Sequence, residues 1–279
     1  MGKFEKRSIG ITGTFSIDFP FYFFGGIFAA ALGSFYSTLG ERIIFFIYGR
    51  GRKQIDPSHV WKFIFTKPSH CRMCNTTLPP TYLIPIFGGI LARGKCFNCN
   101  QRFSKFYPLV ELIFSLVFIG NLYFLKNITF AITFTFFMGH LLISMMTDYK
   151  KYILDYENIP FLLIFGILCG YFVHGEFPNK ISFFVAIGFF ICFYLLYFFY
   201  PKGMGLGDVF YISTYSFLAS HPWWILFLNS SYMLALLGSV ITKKKSERFL
   251  KKKVPMGVYY GLGIGITLLL KAHFVIEFM

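Results

Sequence analysis

Two aspartates of this 279-residue chain have the position and spacing that a catalytic pair requires. Asp208 ends a run that contains Gly205 and Gly207, directly after the apolar stretch 181–200, and Asp148 ends another apolar stretch. A carboxylate at the end of a membrane span is costly, so it marks a functional site by default. Two close carboxylates do not both ionise easily: one keeps a proton while the other activates a water molecule that attacks a peptide carbonyl. The pair therefore predicts an aspartic protease, and the glycines let backbone or substrate approach closely.

Each of these carboxylates also has a plainer interpretation. Asp148 could cap its helix or pair with Lys150 or Lys151 at the membrane interface, and a lone Gly-x-Gly-Asp motif is weak. Asp155 lies seven residues after Asp148, which is the same face if the helix continues. It is then either an auxiliary carboxylate or a solvated loop residue. The prediction that both Asp148 and Asp208 lie at one face of the membrane favours the catalytic interpretation.

Four cysteines form two Cys-x-x-Cys pairs, Cys71 with Cys74 and Cys96 with Cys99. This spacing is typical of a zinc ribbon, in which four thiolates surround the metal tetrahedrally. The alternative is a set of unmetallated or redox-active thiols, but thiols stay reduced in the cytoplasm, where this loop is predicted to lie. A closed site of four cysteines is structural, so the predicted zinc has no catalytic role.

The composition excludes a soluble globular protein, since 56% of the residues are hydrophobic and only 14% are charged. Several apolar stretches are long enough to cross a bilayer, which predicts an all-α integral membrane protein of about eight transmembrane helices. The predicted spans are 19–48, 108–125, 128–147, 159–173, 181–200, two spans within 209–241, and 256–274. The division within 209–241 falls at His221-Pro222, because proline breaks helices.

A net charge of +15 would suggest nucleic acid as the partner of a soluble protein. Here most basic residues fall in the loop 49–107 and the segment 243–253, which eight spans place on one side. The positive-inside rule makes that side cytoplasmic, and it places both aspartates at the cytoplasmic face. We therefore predict no nucleic-acid partner, and we expect the basic residues to attract anionic membrane lipid.

The chain divides into three predicted parts. Residues 1–48 comprise the N-terminus and the first transmembrane helix, residues 49–107 the cytoplasmic zinc-ribbon-like loop, and residues 108–279 the polytopic peptidase domain. The apolar run near the N-terminus is too long for a cleavable signal peptide and lacks a small-residue cleavage site. We therefore expect the first span to be retained.

Taken together, these motifs resemble the type IV prepilin peptidase family of membrane aspartic proteases with a Gly-x-Gly-Asp motif. The matching segments, in chain order, are Gly33-Ser34-Phe35 with Arg42, the tetracysteine loop with Arg93-Gly94-Lys95-Cys96, Tyr107-Pro108-Leu109-Val110-Glu111, Asp148, Asp155, Gly203-Met204-Gly205-Leu206-Gly207-Asp208 and Pro255-Met256-Gly257. Any one of these motifs is weak, but the ordered set is specific and covers most of the chain.

The resemblance implies a bifunctional enzyme of the bacterial inner membrane. Such an enzyme cleaves the leader peptide of prepilins or pseudopilins at the cytoplasmic face, after a glycine, and then methylates the new N-terminus from S-adenosylmethionine. Asp148 and Asp208 match the catalytic aspartates, and Asp155 matches a common aspartate of the family. Lys95, Lys105 and Glu111 are the candidate contacts to the methyl donor.

The sequence leaves two other functions open. The chain departs from the family pattern at Leu154, where proline is usual, and at Val209-Phe210-Tyr211, where a basic residue is usual. These departures suggest a non-enzymatic membrane assembly factor. A presenilin-like intramembrane protease shares the aspartate pair, but the tetracysteine loop does not belong to it.

Overall fold

The computed structural model describes residues 19–53, 56–175, 177–201, 203–242 and 253–278. Within these residues the chain forms ten α-helices and no β-strand, which confirms the all-α prediction. The helices are α1 (Phe19–Phe46), α2 (Val60–Thr66), α3 (Phe87–Leu91), α4 (Phe106–Leu125), α5 (Ile128–Lys151), α6 (Ile159–His174), α7 (Lys180–Phe199), α8 (Leu206–Ala219), α9 (Trp224–Ile241) and α10 (Met256–Phe278). Residues 1–18 lie outside the described residues, and so do residues 243–252, which form most of the basic segment used in the charge argument.

Six of the described helical segments are long and apolar enough to span a membrane, compared with the predicted eight or so. They are Phe19–Phe46, Phe106–Leu125, Ile128–Lys151, Tyr156–Val173, Lys180–Phe199 and Trp224–Ile241. α8 has 14 residues, so it rises only about 21 Å, short of the roughly 30 Å of a hydrocarbon core. Glycines, tyrosines and Lys271 lower the apolar content of α10. The chain is therefore a multi-pass helical protein in which α8 and α10 fall outside the set of six, α8 because it is short.

The predicted break within 209–241 is confirmed. α8 ends at Ala219 and α9 begins at Trp224. Between them Ser220 adopts a positive φ of 63°, and Pro222 cannot continue a helix because it lacks a backbone N–H.

α5 occupies the centre of the helix bundle. One side of it packs with α1 and α4 in an apolar core that includes Phe114 and Ile143. The other side packs with α6, α8 and α10 in a second core that includes Phe137 and Tyr260. Asp148 lies in the last turn of α5, at one end of the helix that both cores share.

A stripe of glycines brings α10 close to α5. A Cβ atom on Gly257 would lie 3.1 Å from Asp148 Cβ, and one on Gly261 would lie 2.8 Å from Met145 Cγ. Small residues at this spacing allow membrane helices to approach each other closely. The stripe therefore directs the first turn of α10 to the end of α5.

Candidate active site

Asp148 is held by the N-terminus of α10. Its Oδ2 accepts a hydrogen bond from the Gly257 backbone N–H at 2.6 Å, and the adjacent Val258 N–H also interacts with the carboxylate. The first N–H groups of a helix have no intrahelical partner and carry partial positive charge, so they stabilise an anion. The side chain is 6% exposed, and the helix terminus therefore provides polar contacts that burial would otherwise remove.

Asp208 lies at the N-terminus of another helix, α8. It occupies the third helical position, and its Oδ2 accepts a hydrogen bond from the Gly205 backbone N–H at 3.1 Å. This arrangement caps the helix in the manner of a capping box. The side chain is half-buried. Gly205 is open on the side away from this contact, since a Cβ atom there would meet only Asp208 Oδ2, at 3.3 Å.

The structure brings Asp148 and Asp208 near enough for their charges to interact. Leu154 packs beneath them, between the starts of α8 and α10. A Cβ atom on Gly207 would lie 3.0 Å from Leu154 Cβ, and one on Gly257 would lie 2.5 Å from Leu154 Cδ2. Gly207 and Gly257 therefore allow α8 and α10 to pack closely against Leu154.

Asp155 has a different surrounding from the other two aspartates. Its Oδ1 accepts a hydrogen bond from the Glu157 N–H at 3.1 Å, its carboxylate bonds with the Tyr48 hydroxyl, and its carbonyl accepts from the Tyr211 hydroxyl at 2.7 Å. Burial raises the pKa of the Asp155 carboxyl, while the bonds from Tyr48 and Glu157 oppose that rise. Among the described residues no hydrogen bond links it to Asp148 or Asp208. These contacts fix the loop that carries Leu154.

Tyrosines near the carboxylates are functional candidates that the sequence analysis missed. Tyr260 on α10 interacts electrostatically with both Asp148 and Asp208. Tyr232 on α9 interacts in the same way with Asp208. The two phenols share a hydrogen bond. A signal was present in the sequence, because Tyr260 follows Gly257 by three residues and so shares its helix face.

The four cysteines converge as predicted. Their sulfur atoms all lie within 4.8 Å of one another. The Cys71–Cys99 sulfur distance is 3.7 Å and the Cys74–Cys96 distance is 3.8 Å. Zinc–sulfur bonds of about 2.3 Å in a tetrahedron place sulfur atoms about 3.8 Å apart. The donor set therefore fits zinc.

The two cysteine pairs are also built alike. In each pair the residue after the second cysteine, Asn75 or Asn100, has a positive φ (55° and 54°) and donates its N–H to the first cysteine's carbonyl. Hydrogen bonds with the hydroxyl and N–H of Thr76 lower the pKa of the Cys74 thiol to about 6. Burial and the neighbouring cysteines raise the pKa of the Cys99 thiol, so without a metal the cluster favours the thiolate, the form that binds a metal, at Cys74 and not at Cys99.

The three predicted methyl-donor contacts differ in burial: Glu111 is buried, whereas Lys95 and Lys105 are exposed. Glu111 is 7% exposed, and its Oε2 accepts a hydrogen bond from the Ile86 N–H at 2.7 Å. Ile86 has a positive φ of 64°, which is strained for a β-branched residue, and Glu111 stabilises that turn. Lys95 and Lys105 are exposed, and among the described residues neither forms an ion pair with Glu111. Their role in methyl transfer stays a prediction.

Comparisons with known proteins divide the chain in two. Residues 27–125 match a family model described as Bacterial Peptidase A24 N-terminal domain, and residues 134–240 match the Type IV leader peptidase family. The prepilin leader peptidase/N-methyltransferase of Bacillus subtilis (strain 168) is 33% identical over 138 residues, which are 50% of this chain and 46% of that protein. The match thus spans about half the length of that relative.

A second relative is similar over a longer stretch. The prepilin leader peptidase/N-methyltransferase of Pectobacterium carotovorum subsp. carotovorum is 28% identical over 240 residues, which are 80% of this chain and 84% of that protein. No solved structure matches the chain.

Proposed function

Because the chain belongs to the type IV prepilin peptidase family and is an enzyme, we propose that it is an aspartic endopeptidase that removes the leader peptide of prepilins or pseudopilins. The observation that carries this proposal is that Asp148 and Asp208, held at the N-termini of α10 and α8, lie near enough for their charges to interact. Two aspartates that are far apart in the chain and close in the bundle provide the pair of carboxylates that peptide hydrolysis requires.

In the proposed mechanism, Asp148 and Asp208 share one proton and titrate as a pair. The ionised member accepts a proton from water, which attacks the peptide carbonyl. The protonated member donates a hydrogen bond to the developing oxyanion, and a proton then passes to the leaving amine. The helix N-termini stabilise the negative charge of the pair without moving during the reaction.

The proposed substrate is a chain with a hydrophobic helix in the membrane and its leader in the cytoplasm, cleaved after a glycine. Contacts of Glu41 support the placement of the cysteine loop and the aspartates at the same membrane face. Glu41 lies 3.4 Å from Lys150, which is two residues after Asp148, and it also contacts Arg72 in the loop. The basic loop makes that face cytoplasmic under the positive-inside rule. We accordingly place the enzyme in the bacterial inner membrane, in contact with anionic lipid.

The four cysteines would hold zinc as a structural ion that fixes the loop. Four thiolates leave no open coordination position, so the metal would take no part in hydrolysis. We also propose methylation of the new N-terminus from S-adenosylmethionine, since both relatives are named N-methyltransferases. Lys95, Lys105 and Glu111 remain the candidate contacts to the methyl donor, and Glu111 also holds the turn at Ile86 through its Oε2.

Mass spectrometry of a co-expressed prepilin tests the proposal. We expect the wild-type chain to remove the mass of the leader, and a further gain of one methyl group to report methyl transfer. Glu157→Gln, a change at an exposed carboxylate in the neighbouring loop, should behave like the wild type. An uncleaved substrate with wild-type enzyme, repeated across the host's own prepilins, would favour the non-enzymatic assembly factor instead.

Zinc removal separates the proposal from a presenilin-like protease with another substrate. A chelator should disturb cleavage in a protein whose cysteine loop packs against the peptidase helices. It should have no effect in a protease that does not depend on this loop.

A further inference from the structure

Glu41, near the end of α1, contacts three other parts of the chain. Its Oε2 contacts the Arg72 guanidinium and accepts a hydrogen bond from the Tyr107 hydroxyl. Its Oε1 lies 3.4 Å from Lys150 Nζ. Arg72 Nη2 also donates to the Tyr107 hydroxyl at 2.8 Å. The Glu41 side chain is only 16% exposed, so these protein groups replace most of the water that would otherwise contact the carboxylate.

The partners of Glu41 belong to two different functional parts. Arg72 lies between Cys71 and Cys74, inside the first cysteine pair. Lys150 follows Asp148 by two residues in the last turn of α5. One carboxylate oxygen therefore holds the cysteine loop, and the other holds the helix that carries a catalytic aspartate.

The Glu41 carboxylate lies between two positive charges. Arg72 and Lys150 lie close enough for their positive charges to repel each other. The Glu41 carboxylate, which contacts both side chains, offsets this repulsion. Removing Glu41 therefore changes the surroundings of Lys150 as well. Removing the contact between Arg72 and Glu41 has the same consequence.

Other contacts dock the loop without touching α5. Arg42 donates to the Ile64 carbonyl on α2 at 2.5 Å, and Glu111 accepts from the Ile86 N–H. Within the described part of the chain, the ion pairs that join the cysteine loop and α5 to one group are those of Glu41.

We propose that Glu41 is a positioning residue that couples the docking of the cysteine loop to the position of the α5 end and hence of Asp148. The kinetic consequence rests on the proposed function. The structural consequence does not: loss of the Arg72 contact loosens the α5 end, although Arg72 belongs to the loop.

Hydrogen–deuterium exchange of the full chain in lipid nanodiscs tests the coupling with Arg72→Gln. The Arg72 side chain is 62% exposed, and the variant keeps all four cysteines, so bound zinc should stay at the wild-type amount. We expect faster exchange in residues 71–78 and also in residues 148–152. Faster exchange in the loop alone would overturn the proposal.

Kinetics provides the second readout. We expect kcat for prepilin cleavage to fall roughly tenfold in Arg72→Gln and in Glu41→Gln, because a small displacement of a catalytic group is costly, with KM within about twofold. Glu157→Gln, which removes an exposed carboxylate, serves as the matched control and should change neither exchange nor kcat. An unchanged kcat in both variants would contradict the coupling.

The two readouts also separate this proposal from the proposed function. If the wild-type chain cleaves no prepilin, the proposed function fails, but the exchange experiment still decides the coupling. Faster exchange at 148–152 in both variants would support it, and unchanged exchange there would overturn it.

Discussion

The cysteine loop is shaped by hydrogen bonds between residues that are close in sequence, whereas the position of Asp148 depends on a residue that is far away in sequence. In the loop, the hydrogen bonds that shape each cysteine pair join near neighbours, such as the Asn75 N–H and the Cys71 carbonyl. In the aspartate pair, the hydrogen bond that holds Asp148 comes from Gly257, 109 residues away. A site shaped by local bonds can form as soon as its metal binds, whereas the aspartate pair needs the whole helix bundle. Changes in α10 should therefore damage the aspartate site most, and changes in the cysteines should act on it indirectly.

Among the variants that leave both aspartates in place, the largest effect is expected from Gly257→Ala. The added Cβ atom would lie 2.5 Å from Leu154 Cδ2 and 2.9 Å from Asp148 Oδ2, so α10 must move away from α5. A displacement of about 1 Å at a catalytic group costs about a hundredfold in rate, and we expect a loss of that size in kcat for prepilin cleavage.

Gly188→Ala in α7 is the matched control for that variant. No atom lies within 4 Å of the Cβ position there, so its cleavage rate should stay close to that of the wild type. If Gly257→Ala cleaved as fast as Gly188→Ala, close packing of α10 on Asp148 would not be needed for the reaction.

A smaller effect on cleavage is expected from Cys71→Ser. The variant should lose zinc, measured by elemental analysis, because one of four closed ligands is removed. The loop should become sensitive to protease, while kcat falls roughly tenfold, less than in Gly257→Ala, since the loop supports Asp148 only through side-chain contacts.

Cys192→Ser controls for the loss of a thiol, because Cys192 is exposed on α7, away from the four converging cysteines. It should retain both zinc and activity. A zinc-free Cys71→Ser protein with an intact loop and full activity would show that the two sites are independent.

The smallest effect is expected from Tyr211→Phe, which tests the support beneath the aspartates. The Tyr211 hydroxyl donates to the Asp155 carbonyl at 2.7 Å and bonds with Ser144 at 3.0 Å. Its removal leaves a buried carbonyl without this partner, which costs about 1–3 kcal/mol of folding free energy. We expect a lower Tm and a modest loss of activity.

Tyr149→Phe is the comparison for that variant, because Tyr149 is 68% exposed. Its Tm should not change. Equal Tm values for the Tyr211 and Tyr149 variants would mean that the buried hydrogen bonds do not stabilise the loop of Asp155.

The sequence predicted the elements that depend on local patterns. The apolar stretches predicted the long helices, Pro222 predicted the break after α8, and the spacing of the cysteines predicted their convergence. Each of these depends on residue type and on near neighbours, which the sequence displays directly.

The sequence did not predict contacts that depend on how helices pack. The hydrogen bond from Gly257 to Asp148 requires the glycine stripe of α10 to lie on α5, and the stripe has no periodic hydrophobic signal. The three contacts of Glu41 join segments that are far apart in the chain. The segment of α8 was also predicted to be a transmembrane span, although its 14 residues are short for a hydrocarbon core.

The most direct measurement of the central claim is the cleavage rate of a purified prepilin by Asp148→Asn and Asp208→Asn, each with wild-type melting behaviour. Asparagine keeps the shape and accepts the same backbone hydrogen bond, but it cannot exchange a proton with water. If the two carboxylates act as one pair, either variant alone should show no measurable cleavage, while Glu157→Gln cleaves at the wild-type rate. Cleavage at the wild-type rate by either aspartate variant would contradict the account.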